Sequence, residues 1–358
     1  MLLEPFTSPH LQLSNRIVMA PMTRSRATLN NTANSLIAKF YAQRASAGLL
    51  ITEGTAPSPN GLGYARIPGL FAPAHVSGWG PVTDAVHREG GKIFVQLMHT
   101  GRVAALDNLP QGGVVVGPTD APCPGKMFTD TAGMQPHSKP RAMTEADIAA
   151  AVQEYATACE LAMDAGFDGV ELHAANGYLL EQFLNANVNT RSDNYGGSAD
   201  NRNRFTVEVA AACVQRIGAA QVGIRLSPYG VFNGTGAFDG VDTQYLALVK
   251  ELSKLQLVYL HLLDHSAQGT PPVPAELKRS LRNAFAGVMM LCGGYTRDTA
   301  EADLQAGHAD LIAFGRPFIS NPDLVARFKT GVALSPADQT TFYTPGAKGY
   351  TDYGIASA

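Results

Sequence analysis

The chain has 358 residues, 45% of them hydrophobic and 16% charged, so a large core is well supplied and a disordered chain is not expected. Lys plus Arg total 27 against 30 for Asp plus Glu, and the net charge of −3 provides no basic footprint for nucleic acid or an anionic membrane surface. No apolar run reaches the ~18 residues of a transmembrane helix, and Glu4, Pro5 and Pro9 interrupt the start where a signal peptide needs a continuous apolar segment.

Along the chain, "FTSPHLQLSN" reads as a small hairpin closing the floor of whatever follows. Eight apolar runs of strand length then recur, most of them followed by a helical pattern. "RIVMAPMT" (16–23) leads to a helix near 34–47, and "LLITEG" (49–54) to one near 74–89. "KIFVQLMH" (92–99) and "GVELHAA" (169–175) are the third and fourth runs. "VGIRLSP" (222–228), "YLHLLD" (259–264), "VMMLCGG" (288–294) and "LIAFGR" (311–316) complete the set. Continuous apolar strands alternating with helices mean a parallel sheet covered on both faces. Eight units at this length predict an α/β fold, a closed (β/α)8 TIM barrel forming one domain over residues 1–358.

Two stretches break the rhythm. Residues 100–142 are rich in Gly, Pro and Thr and read as an insertion after strand three, a cap over the barrel mouth. Residues 185–203 form a polar loop after strand four and, following a strand end, are expected to be functional. Between them, Thr144 is the expected N-cap of a helix, with Asp147 as its capping-box partner. Ile148, Val152, Tyr155, Cys159 and Ala162 form its apolar stripe, and Gly166 ends it. The four cysteines, Cys123, Cys159, Cys213 and Cys292, make no CxxC pair and no metal spacing. They read as buried free thiols of a cytoplasmic protein, and no metal is expected.

The C-terminal ends of barrel strands build the active site. Strand one ends in Pro21, Met22 and Thr23; strand two carries Glu53 and Gly54; strand three carries Gln96, Met98 and His99. Strand four delivers His173, Asn176 and Tyr178, strand five Arg225, and strand six Asp264 and His265. Gly293-Gly294 after strand seven and Gly315-Arg316 after strand eight can offer backbone N–H groups and a guanidinium to one phosphate; the plainer reading is that the glycines only turn the chain. A buried Arg225 needs an anion or a structural ion pair. With Gln96 as a flat amide, these residues fit FMN: Gln96 at the pyrimidine edge, Arg225 at the end that turns negative on reduction, the glycines at the phosphate. His173 and Asn176 can each donate to one substrate oxygen and stabilise an enolate, while Tyr178 is placed as a general acid. The alternative is an interior His–Asn pair capping the next helix.

These residues and their surroundings resemble the Old Yellow Enzyme family, FMN-dependent ene-reductases on a (β/α)8 barrel. The similarity spans nearly the whole chain, through "LSNRIVMAPMTRSRA", "FVQLMHTGR", "ELHAANGYLLEQFLN", "RSDNYGGSADNRNRF", "IRLSPYGVFN", "FGRPFISNPDL" and "FYTPGAKGYTDY". Thr23 stands where the thermophilic-like branch usually has Cys, so the resemblance is to the classical branch. It implies that His173 and Asn176 bind the activating group of the substrate and that Tyr178 protonates the α-carbon. It implies that Thr23, Pro21, Met22, Gly54, Gln96 and Arg225 line the flavin and that Gly293, Gly294, Gly315 and Arg316 hold its phosphate. Tyr64, Phe232 and Tyr343 would shape the substrate pocket, as would Met98, which replaces a Trp of many relatives. The expected reductant is NADPH or NADH, the turnover ping-pong, and the substrates enones, enals, maleimides and also nitroalkenes. The expected partner is a small molecule, with no nucleic acid or membrane, and the protein a monomer or homodimer. Two rivals are a flavin-free phosphate-binding aldolase or isomerase, which needs a catalytic Lys or a carboxylate pair, and a flavoprotein without ene-reductase activity.

Overall fold

The computed structural model describes residues 1–355. Eight parallel strands close into a barrel: β1 (Ile17–Met19), β2 (Leu49–Ile51), β3 (Ile93–Leu97), β4 (Gly169–Ala174), β5 (Val222–Leu226), β6 (Tyr259–Leu263), β7 (Val288–Cys292) and β8 (Leu311–Phe314). β8 pairs with β1 through Phe314 and Met19, which closes the ring. Helices separate the strands. They are α1 (Ser35–Ala42), α2 (Pro73–Arg88), α3 (Glu145–Asp164), α4 (Leu179–Leu184), α5 (Ala199–Ile217), α6 (Val241–Lys254), α7 (Ala275–Ala284), α8 (Arg297–Gln305), α9 (Arg316–Ser320) and α10 (Leu324–Thr330).

Strand side chains alternate between faces, and two separate apolar clusters record this. Ile17, Met19, Leu50, Val95, Val170, Leu172, Ile224 and Leu260 pack outward against helix residues such as Phe40, Val86, Tyr155 and Phe205. Val18, Leu49, Ile51, Phe94, Tyr259, Val288, Met290 and Leu311 fill the barrel interior. The N-terminal hairpin (Phe6–Thr7 with Gln12–Leu13) adds Phe6, Leu11 and Leu13 to that second cluster. It closes the floor, as expected.

The local signals around α3 hold. Asp147 N–H donates to Thr144 Oγ1 at 3.1 Å and Thr144 N–H to Asp147 Oδ2 at 2.7 Å, while Gly166 takes φ +83 just past the helix end. All four cysteines are buried and free. The insertion forms a hairpin, Lys126–Thr129 with Gly133–Pro136, and a short parallel pair, Val116–Gly117 with Arg141–Ala142.

The 185–203 loop differs from its expected role. None of its residues lines the two mouth cavities, and α5 begins inside it, with Asn201 N–H donating to Ser198 Oγ. Arg191 Nη1 donates to Pro118 O at 2.8 Å and to Met143 O at 2.6 Å, and its guanidinium pairs with Asp193. The loop clamps both roots of the insertion. Much of its polarity satisfies backbone carbonyls.

The C-terminal segment is held from beneath by buried arginines. Arg24 donates to Phe342 O at 3.1 Å and Gly349 O at 2.7 Å, and Arg26 to Thr341 O at 2.8 Å. Arg44 donates to Phe318 O and Ile319 O, while Tyr350 stacks on Phe40 at 4.1 Å between ring centres. This strap carries Tyr343 back across the mouth.

Arg191→Ala removes both donors from the insertion roots. It is expected to speed proteolysis between residues 118 and 143 while the barrel's helical circular dichroism stays near wild type; unchanged proteolysis rates would refute the clamp.

Candidate active site

The side-chain parity that builds the barrel also stacks polar residues above its apolar floor. Gln96 stands in register with Glu171, His173 with Arg225, and Arg225 with His261, so neighbouring strands present these side chains to one interior. Glu171 and His261 are fully buried and pair at 2.8 Å, and Gln96 Nε2 donates to the other Glu171 oxygen at 2.8 Å. Burial works to raise the Glu171 carboxyl, but His261, Arg225 and Gln96 hold it below the ordinary carboxylate range. Gln96 is thereby oriented, with its amide NH2 turned to Glu171 and its carbonyl oxygen left for another partner.

Arg225 has no such resolution. It is 5% exposed, its Nε has no hydrogen-bond partner, and among the described residues its one hydrogen bond runs from Nη2 to Cys292 Sγ at 3.6 Å. A guanidinium is always charged, and among the described residues no carboxylate pairs with it. No carboxylate bonds to it directly, although the buried Glu171 feels its charge.

Arg225 faces a cavity of about 840 Å3 at the C-terminal ends of the strands. Pro21, Met22 and Thr23 after β1 line one side, Asn176, Tyr178 and Phe232 another. Gly293 and Gly294 after β7 and Gly315 and Arg316 after β8 line the far end. Tyr64 and Tyr343 reach it from the mouth. Gly293 takes φ +144, and a Cβ there would lie 2.1 Å from Asp264 O, so only glycine lets this turn pass so close to the neighbouring strand end. No lysine lines this cavity, and among the described residues no cluster is arranged to hold a metal.

The remaining expected residues sit behind the wall. Gln96 and His173 are buried and do not line it. Met98 is 1% exposed and packs against Gly54, Ala56, Leu62 and Ile67. It shapes the wall from behind.

The turn after β4 is held from several directions. Asn176 and Gly177 take left-handed φ of +59 and +73. Glu181, buried on α4, accepts from Gly177 N–H at 2.6 Å and from Ser227 Oγ at 3.1 Å; burial raises its carboxyl to about 7. Asn176 N–H donates to Ser227 Oγ at 2.9 Å. The His173 and Tyr178 rings meet edge-on at 4.9 Å, and the Tyr178 hydroxyl lies 3.1 Å from that of Tyr64. Burial pushes the Tyr178 phenol up to about 12. Burial, then Arg225, His261 and His265, push the His173 imidazole well down, so it is neutral.

A second cavity of about 980 Å3 continues outward from Thr23, Tyr64, Tyr178 and Tyr343. The insertion supplies its far wall through Pro124, Met127, Phe128 and Met134. The insertion is the cap its sequence implied.

The fit to FMN rests on these observations: an elongated cavity, a charged guanidinium without a bonded carboxylate, an oriented amide behind the wall, and a glycine-and-arginine end. Comparison with known proteins decides the matter. The model of the NADH:flavin oxidoreductase / NADH oxidase family matches residues 1–335. The chain belongs to the Old Yellow Enzyme family. Among relatives of this family, 12-oxophytodienoate reductase 7 of Oryza sativa subsp. japonica is 38% identical, the alignment covering 98% of this chain and 94% of the relative. The structure of the old yellow enzyme homologue from Zymomonas mobilis superposes with a TM-score of 0.95 at 38% identity, covering 99% of both chains. Morphinone reductase in complex with tetrahydroNAD superposes at 0.94 and 40% identity, covering 99% of this chain and 98% of that one. Like its family, this chain is an FMN-dependent ene-reductase driven by a reduced nicotinamide. The aldolase and non-catalytic rivals fall away.

Sequence reasoning passed over Glu171, His261, Glu181 and Ser227. The available signal was a charged or polar residue inside an apolar strand or helix start, the same signal that singled out Arg225.

His265 is pushed down to about 4 by burial and then Arg225. Both His173 and His265 are therefore expected to stay neutral as pH falls, with His265 protonating only near pH 4. Their imidazole NMR signals should not move between about pH 5 and 8; a midpoint near 6.5 for either would contradict the burial.

Proposed function

We propose that His173 and Asn176 together bind the carbonyl oxygen of an activated alkene and that Tyr178 protonates its α-carbon. The observation that carries this reading is that Asn176 and Tyr178 line the cavity that Arg225 faces, with the His173 ring set edge-on against Tyr178 at 4.9 Å. A neutral His173 and the Asn176 amide are donors without a formal charge, suited to an oxygen that becomes anionic only in the transition state. Tyr178 keeps its proton at neutral pH, and Tyr64 at hydrogen-bond distance offers a route to replace it.

The chemistry FMN supplies when bound is two-electron transfer from the reduced nicotinamide to the alkene. In this reading Gln96 meets the pyrimidine edge with its carbonyl oxygen, and Arg225 meets the end of the ring system that becomes negative. Thr23, Pro21, Met22 and Gly54 line the ring, and Gly293, Gly294, Gly315 and Arg316 hold the phosphate. Substrate and nicotinamide then use the same face in turn, with NADH or NADPH as donor.

Enones, enals and maleimides are the proposed substrates, nitroalkenes a further class. The rice and morphinone relatives are both named for a carbonyl compound, which supports this choice. The apolar outer cavity supports substrates larger than a single ring, admitted past Tyr64, Phe232 and Tyr343. Met98, a flexible thioether behind Gly54, shapes that pocket indirectly. Four buried free thiols support a reducing cytoplasmic setting.

Tyr178→Phe tests the acid. FMN content and FMN reduction by NADH are expected to stay near wild type, while cyclohexenone turnover falls by roughly 10²–10⁴-fold. Unchanged turnover would show that the proton comes from elsewhere.

A further inference from the structure

An asparagine that must donate to substrate has two ends of nearly equal shape, one a donor and one an acceptor. Which end faces the cavity is not set by packing alone. At Asn176 the backbone leaves little freedom: φ is +59, the N–H donates to Ser227 Oγ at 2.9 Å, and the C=O accepts from Asn233 Nδ2 at 2.7 Å. What remains is rotation of the side-chain amide.

That rotation meets His265, which follows β6, two strands along the barrel from β4. His265 Nε2 lies 2.8 Å from Asn176 Oδ1. On the other edge of the imidazole, Nδ1 lies 3.4 Å from Gln268 Nε2. An amide NH2 can only donate, so Nδ1 is the acceptor and the ring proton sits on Nε2. The Gln268 amide is turned in the same sense, since its Oε1 accepts from Arg316 Nη2 at 3.4 Å. The His265 ring also packs on Phe232 at 4.5 Å between centres. A ring held on one face and bonded at both edges is a rigid donor.

We propose that His265 is a positioning residue that fixes the Asn176 amide with its NH2 toward the substrate oxygen. By occupying Oδ1 with an N–H, it makes the reversed amide unfavourable, because reversal would set two donors against each other at His265 and two acceptors against each other at the substrate. Arg316, Gln268, His265 and Asn176 then form one directed chain of donors ending at the reacting carbonyl. Polarisation along such a chain strengthens its last bond. This inference rests on the reading of Asn176 as a substrate donor.

The test uses the FMN-loaded enzyme and 4-hydroxybenzaldehyde, whose phenol oxygen stands in for the substrate oxygen. Its dissociation constant is read by titration of the visible spectrum, alongside kcat/KM for cyclohexenone. His265→Phe keeps a ring on Phe232 but loses the N–H; binding is expected to weaken roughly tenfold, the loss of one oriented hydrogen bond. His265→Gln places an NH2 near the position of Nε2 and is expected to restore binding to within about twofold of wild type. His265→Asn, which is too short, is expected to behave like the Phe variant. Asn176→Leu is expected to weaken binding by itself, and Asn176→Leu with His265→Phe to be no weaker than Asn176→Leu alone.

Wild-type affinity in His265→Phe would overturn the proposal, as would a Gln variant as weak as the Phe variant, or an additive double variant. Should the Phe variant fail to load FMN, the Gln and Asn pair decides. Wild-type affinity in Asn176→Leu would instead overturn the reading of Asn176 itself, whatever His265 does.

Discussion

In a closed parallel barrel every second residue of each strand must face inward, and the space there cannot be filled by helices. Everything distinctive about this enzyme follows from what the chain places at those inward positions. The lower layers are apolar and sealed by the N-terminal hairpin. The layer above holds Gln96, Glu171, His173, Arg225 and His261 in adjacent registers. A shift of one residue on any strand would turn its polar side chain into the helix layer. The outward residues, among them Val170, Leu172 and Ile224, pack so completely against helices that such a shift is strongly opposed.

That polar layer is deliberately unbalanced. Glu171 is satisfied by His261 and Gln96 and serves to orient them. Arg225, one register away, keeps a buried charge without a carboxylate. Burying a charge without a bonded partner is costly, and Glu171 offsets it only through its nearby charge. The same buried environment keeps the phenol of Tyr178 protonated and the imidazole of His173 neutral. One low-dielectric interior thus sets the protonation states of Tyr178 and His173 and leaves Arg225 without a bonded carboxylate.

The mouth is built by parts that belong to no barrel strand. The insertion after β3 forms the outer wall and is clamped by Arg191 from the loop after β4. The C-terminal segment is strapped down by Arg24, Arg26 and Arg44 and returns Tyr343 to the entrance. These are long-range contacts between side-chain donors and backbone carbonyls. No local pattern announces them, which is why the 185–203 loop, read as functional from its place after a strand end, gave no sign that it also serves as a brace.

By itself the sequence determined the eight βα units, the insertion, the α3 capping box and the residues at the strand ends, because hydrophobic periodicity, capping and turn chemistry are local. It also singled out Arg225, since a charge inside an apolar strand is legible wherever it occurs. The tertiary structure alone decided which polar residues meet. Glu171 beside Gln96, Tyr64 against Tyr178 and Met98 behind Gly54 are distant in sequence and adjacent only through register and closure. His265 stood in plain view after strand six, but its bond to Asn176 spans 89 residues of sequence and passes over the intervening β5. Spacing along one chain carries no information about which strand ends face each other until the barrel closes.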